Sequence, residues 1–160
     1  MATRSAIGFL EYDGSVTGIY CHWDGYLEGV GATLAQYYTD TEKVLDLIEM
    51  GDVSSLGKEI GVKHPFSRFM TGLSQEDWDA QFGDMTTFYT RDRGEDTPAR
   101  DFPDAKAFRS YYGDAEFFYL FDGNDWTYAT RLMPYFKVFR TWDGSIHGDV
   151  GIVIPATVEA

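Results

Sequence analysis

The amino-acid sequence predicts an α+β fold: a single domain over residues 1–160, with an antiparallel sheet of about five to seven strands and helices packed mainly on one face. Three observations predict it. Runs rich in β-branched and aromatic residues, separated by turn signals, lie at both ends of the chain, whereas helical periodicity occupies the middle. No stretch has the composition of a linker. The chain length of 160 residues is that of one ordinary domain.

The elements follow in order. Ala6 to Leu10 and Val16 to Trp23 flank Glu11-Tyr12-Asp13-Gly14-Ser15, and Asp-Gly between two such runs marks a β-hairpin, because glycine accepts the positive φ the turn needs. Val30, Leu34, Tyr37 and Tyr38 share one face of a helix over Val30–Tyr38. A second helix follows, with Thr39 and Glu42 at capping-box spacing, Val44, Leu45 and Ile48 on its apolar stripe, and Gly51 as its stop. Gly57, Gly61 and Pro65 break Asp52–Arg68 into an irregular connection. Ser74–Phe82 is predicted as a short helix capped by Ser74 and Asp77, and Met85–Thr90 as a strand. Asp92–Asp101, turn-rich and of mixed charge, is predicted as an exposed loop. Asp104 caps a further helix, with Ala107, Phe108, Tyr111 and Tyr112 inward and Gly113 at its end. Glu116–Phe121 and Trp126–Thr130 form a second hairpin around Asp122-Gly123. Tyr135–Thr141 and Ile146–Ile154 form a third around Trp142-Asp143-Gly144-Ser145.

Composition bounds function. Aromatic residues make up 17% of the chain, enough to dominate a core and to exclude disorder as its general state. The formal charge of −13 repels phosphate backbones and anionic lipid, so direct nucleic-acid binding and membrane association are not expected. It favours a protein partner with a basic surface. An acidic helix face can also imitate the spacing of DNA phosphates, provided the negative charge is ordered on one face. Cys21 is the only cysteine, which excludes an intrachain disulfide. With no signal-peptide pattern at the N-terminus and no apolar run of membrane-spanning length, a cytoplasmic location is expected.

The densest chemistry lies in Cys21-His22-Trp23-Asp24-Gly25-Tyr26, where the second strand turns toward the first helix. Alternation along a strand puts His22 and Asp24 on one face and Cys21 and Trp23 on the other. Cys21 and His22 therefore point apart, which disfavours a thiol–imidazole pair. His22 and Asp24 could begin a metal site completed by His64, His147 or a distant carboxylate, but no diagnostic ligand spacing is present. Gly29-Val30-Gly31 lacks the third glycine of a dinucleotide loop, since Leu34 stands there, and it follows a hairpin. No cofactor signature is found. What remains is a cup of His22, Trp23, Asp24, Tyr26, Gly29 and Gly31, with free N–H groups at the helix start, for a small ligand or a partner's side chain. The plainer alternative makes Trp23 and Tyr26 core and turn residues and Asp24 a helix cap. No Gly-x-Ser-x-Gly and no phosphate-binding loop is present, and the acid pairs Glu76-Asp77 and Glu95-Asp96 suit a helix start and a solvated loop.

The segment Ala2-Thr3-Arg4-Ser5, then Ile19-Tyr20-Cys21-His22-Trp23-Asp24-Gly25-Tyr26 with Glu28-Gly29-Val30-Gly31, resembles a group of small uncharacterised proteins of bacteriophages and mobile elements. The similarity runs on to Gly51-Asp52-Val53-Ser54-Ser55-Leu56-Gly57 and includes Tyr119-Leu120-Phe121-Asp122-Gly123. Leu27 stands where that group often has proline. The resemblance implies a phage or prophage accessory protein acting in a bacterial host; the group has no settled activity to carry over. The leading expectation is therefore an acidic accessory protein that binds and modulates a host protein, such as a defence or nucleic-acid-handling factor. The alternative is a small-ligand (nucleotide or metabolite) binding protein or hydrolase using the turn His22–Gly31. A minor virion component is a third possibility.

Overall fold

The computed structural model describes residues 2–142, 145–147 and 153–155. The N-terminal hairpin forms as its sequence dictates: strands β1 (Ser5–Leu10) and β2 (Val16–Cys21) pair antiparallel across six residue pairs. Gly14 turns the chain at φ +94, and Asp13 receives the Ser15 N–H and hydroxyl. A π-helical turn over Leu27–Gly31 precedes α1 (Ala32–Tyr37), so the predicted helix is entered through a wider first turn. Helix α2 (Thr41–Glu49) follows. Its N-cap is Asp40, and no side chain caps it, so the Thr39–Glu42 box does not form. Gly51, at φ +89, ends it as expected; a Cβ there would lie 2.3 Å from the Thr97 carbonyl oxygen.

The chain then forms β3 (Val53–Ser55), an irregular passage with a 3₁₀ turn at Arg68–Met70, and α3 (Gln75–Phe82), whose Asp77 N–H is capped by Ser74. The predicted strand Met85–Thr90 is only β4 (Thr87–Phe88), because helix α4 (Tyr89–Arg93) begins immediately after it. The expected loop Asp92–Asp101 is likewise corrected. Asp92 is buried in α4, and Arg100 opens strand β5 (Arg100–Phe102). Helix α5 (Ala105–Tyr111) is capped by Asp104, which accepts the Ala107 N–H at 2.8 Å. Phe108 and Tyr112 face inward, but Tyr111 is exposed.

Strands β6 (Phe117–Phe121) and β7 (Trp126–Thr130) make the second hairpin, with the Asp122 carboxylate receiving the Asn124 and Asp125 N–H groups. Strand β8 (Met133–Trp142) pairs with β7, β9 (Ser145–His147) and β10 (Val153–Pro155). The turn residues Asp143 and Gly144 and the middle of the predicted Ile146–Ile154 strand lie outside the described residues.

The sheet order is β10-β8-β7-β6-β1-β2-β3-β4, with β5 pairing onto β2 and β9 onto β8 off that path. The sheet is mixed, with more strands than expected: β1 runs parallel to β6 and β2 parallel to β3. The parallel β1–β6 pairing is what joins the two terminal β-rich regions into one sheet. Alternation sends Ile7, Ile19, Tyr119 and Phe121 to one face, under α1 and α2. Ala6, Val16, Phe118 and Leu120 go to the other, under α5. The helices are thus divided between the faces rather than gathered mainly on one. Among the described residues no helix is long and apolar enough to cross a membrane.

Candidate functional site

The turn after β2 is where the sequence placed its candidate residues. Strand alternation holds through His22. Cys21 enters the core beneath α1 and α2, whereas His22 joins Tyr20 on the opposite face, its Nδ1 2.8 Å from the Tyr20 hydroxyl. Burial pushes the Cys21 thiol up to about 12, so the thiolate is absent at neutral pH; the thiol donates toward the Trp23 carbonyl oxygen and not to His22. Burial, and then the Arg4 guanidinium, hold His22 below the ordinary histidine range, which favours a neutral ring.

Beyond Trp23 the strand geometry is lost. Asp24 adopts φ +58, the left-handed region, so it does not continue a shared face with His22. Its carbonyl oxygen accepts the Val30 N–H at 2.8 Å, and its carboxylate caps no helix. The Gly29 and Gly31 N–H groups donate to Tyr26, and that of Gly25 to Thr3. The Gly29, Val30 and Gly31 amides are therefore engaged within the turn, so the two candidate glycines do not offer free N–H groups to an anion. The glycines serve close packing. A Cβ on Gly29 would lie 2.3 Å from the Asp24 carbonyl oxygen, and one on Gly31 would meet Leu27 and Tyr119. Tyr119 fastens the same turn by donating its hydroxyl to the Gly25 carbonyl at 2.7 Å.

His22 and Trp23 do meet, edge to face at 4.7 Å between ring centroids. Trp23 is 44% exposed and borders a cleft of about 440 Å³ that His22, Asp24 and Tyr26 do not line. His64, the second candidate imidazole, is buried elsewhere. Its Nδ1 donates to the Val62 carbonyl oxygen at 2.8 Å, which leaves Nε2 to accept from the Thr87 hydroxyl at 3.1 Å. His147 lies in β9. Among the described residues no three His, Cys, Asp or Glu side chains converge as a metal site would require.

A second site emerges from tertiary pairing. On α2, Glu42, Asp46 and Glu49 are exposed at i, i+4 and i+7, one stripe along the helix. Strand β5 lies beside that helix because Asp101 pairs with Thr17 of β2 in the ladder, and the Thr17 hydroxyl donates to its carboxylate at 2.9 Å. Between them runs a groove of about 520 Å³ with Asp46, Glu49 and Asp101 on its walls and Leu45, Ile48 and Ala99 among its apolar lining. Among the described residues no lysine or arginine lines it. Arg100 sits one residue from Asp101 on the opposite side of the ladder, its guanidinium over the Tyr111 ring. The acidic stripe of α2 was legible in the sequence as spacing; the contribution of Asp101, eighty-four residues from Thr17, was not. What this groove can do chemically is hold a cation-bearing chain with an apolar stem, since Lys and Arg bury their methylenes and present their charge.

No family model matches the chain, no curated protein matches it, and no solved structure matches its fold.

Proposed function

We propose that the chain is a phage-type acidic accessory protein that binds and modulates a host protein through a basic surface of that partner, such as a defence or nucleic-acid-handling factor. The observation that carries this reading is the α2–β5 groove, where three carboxylates and an apolar floor meet without a neutralising cation among the described lining residues. The field of a chain with net charge −13 adds to it by speeding encounter with basic surfaces. The resemblance of the N-terminal third to phage and mobile-element proteins supplies the bacterial context.

The test uses the full chain as bait in host lysate, beside a triple variant Asp46→Asn, Glu49→Gln, Asp101→Asn that keeps side-chain shape. A basic protein should be recovered by the native chain, released as salt rises, and lost with the triple variant. Retention of the same partners by the variant, or recovery that ignores salt, rules this reading out.

The ligand-binding or hydrolytic alternative at His22–Gly31 finds less support. The amides of Gly29, Val30 and Gly31 are spent inside the turn, and the imidazole is bonded to Tyr20.

A further inference from the structure

A second cleft, unused by the reading above, lies between the β3–β4 ribbon and α3. Its volume, about 440 Å³, is in the range of small-molecule sites. Five aromatic rings border it: Trp23, Phe66, Phe69, Trp78 and Phe82. Trp78 and Phe82 form the apolar side of α3, yet that helix buries none of its residues fully. They rest on each other at 4.9 Å between centroids, and Phe82 stacks on the buried His64 at 5.4 Å. Trp23 and Phe69 are 44% and 84% exposed. A concentration of partly bared rings around one concavity is more than core filling requires.

Two charged side chains join the rings. The Arg68 guanidinium lies 4.6 Å from the Phe69 ring centroid and donates one N–H to the Leu73 carbonyl oxygen at 3.0 Å, with no carboxylate paired to it among the described residues. Asp79 of α3 accepts from the Gln75 amide at 2.9 Å through Oδ1, leaving Oδ2 open. Aromatic walls with one free donor group and one free acceptor suit a planar heterocycle that carries N–H donors and ring acceptors along its edge. The chain's strong negative charge disfavours attached phosphates. We propose that the cleft between Trp23, Phe69 and Trp78 binds a nucleobase, as free base or nucleoside, with Arg68 and Asp79 contacting its edge.

The experiment titrates the full chain with guanosine, adenosine, cytidine and uridine by isothermal titration calorimetry, with N-acetyltryptophanamide as a non-nucleobase aromatic. At least one nucleoside should bind saturably. Phe69→Ala, a change at a largely exposed side chain that leaves the fold intact, should weaken it about tenfold, the scale of one lost stacking contact. Arg68→Gln and Asp79→Asn should each weaken it and alter the preference among bases, and Trp78→Ala should abolish it. The α2–β5 triple variant should bind as the native chain does, which separates this site from the acidic groove. Absence of saturation with all four nucleosides, equal binding of the tryptophan amide, or an unchanged affinity in Phe69→Ala overturns the proposal.

Discussion

The Asp52 carboxylate accepts the backbone N–H of Tyr20 at 2.9 Å, where the edge of β2 changes partner. Below this point Val16–Gly18 pair with β5; above it Cys21 pairs with β3. A side chain thus supplies the acceptor that neither strand offers at the fork. The same residue ties in the segment before β5 and the start of α4, donating its N–H to Thr97 and accepting that of Tyr89 at its carbonyl. The groove wall at β5 depends on this fork being held.

Burial pushes the Asp52 carboxyl above its ordinary 3.8, against the smaller opposing effects of the Tyr20 N–H and Arg100. A carboxyl with a raised folded pKa binds its proton more tightly when folded. Its contribution to stability is therefore largest at low pH and declines as pH rises from about 3.8 through the folded value. Melting temperatures of the native chain and Asp52→Asn, compared from about pH 3 to about pH 7, should show the native chain losing ground over that window and then holding a constant offset. A pH-independent difference would sink the assignment. Asp52→Ala, which leaves the Tyr20 amide without an acceptor, should cost roughly 1–3 kcal/mol in urea unfolding.

On the opposite face, α5 seats Phe108 on a pair of glycines facing each other across the hairpin, Gly8 and Gly18. A Cβ on Gly18 would stand 2.5 Å from the Phe108 ring and one on Gly8 would meet Val16 and Leu120 at under 3 Å. Gly18→Ala should therefore destabilise by roughly 1–3 kcal/mol despite its lower unfolded-state entropy. Combined with Phe108→Leu, it should cost less than the two single changes together, because the shortened side chain vacates the space the methyl needs. Strict additivity in the urea cycle would show that the ring is not what the glycines accommodate.

The elements themselves were legible where local chemistry decides them. Asp13-Gly14 and Asp122-Gly123 set two hairpins, Ser74 and Asp104 cap two helices, and Gly51 ends a third. What was hidden depends on distant partners. The parallel pairing of β1 with β6 leaves no periodic trace in either segment, since both strands are apolar on both faces once helices cover the sheet on each side. Thr39 and Glu42 had capping-box spacing, but Asp40 occupies the cap, one residue further on. The candidate turn was located correctly as a strand end, whereas the inward use of its amides follows from Asp24 adopting a left-handed conformation that no pattern announces. The acidic groove needed β5, and β5 was concealed in a segment whose charge reads as a solvated loop.

Asp92 is the other residue misplaced by that charge-rich reading, and its environment makes the sharpest stability prediction. Its fully buried carboxylate accepts the Phe88 N–H at 2.8 Å and the His64 N–H at 3.2 Å, and it takes Nε and Nη2 of Arg91 at 2.9 and 3.1 Å. Arg91 in turn donates to the carbonyl oxygens of Ile60, Gly61 and Thr86, so a single ion pair binds the irregular passage after β3 to β4 and α4. Removing one partner of such a pair leaves the other buried and uncompensated. Asp92→Ala should cost roughly 3–5 kcal/mol and collapse hydrogen-exchange protection at the Phe88 amide. The Phe88 and His64 amides use different carboxylate oxygens, so Asp92→Asn retains an acceptor for one of them and loses the charge opposite Arg91; it should fall between the native chain and the alanine variant. Because His64 stacks beneath Phe82, the same loss should loosen α3 and the aromatic cleft before the α1–α2 face of the sheet responds. Exchange that rises uniformly over the whole sheet would mean that this corner has no independent cooperativity.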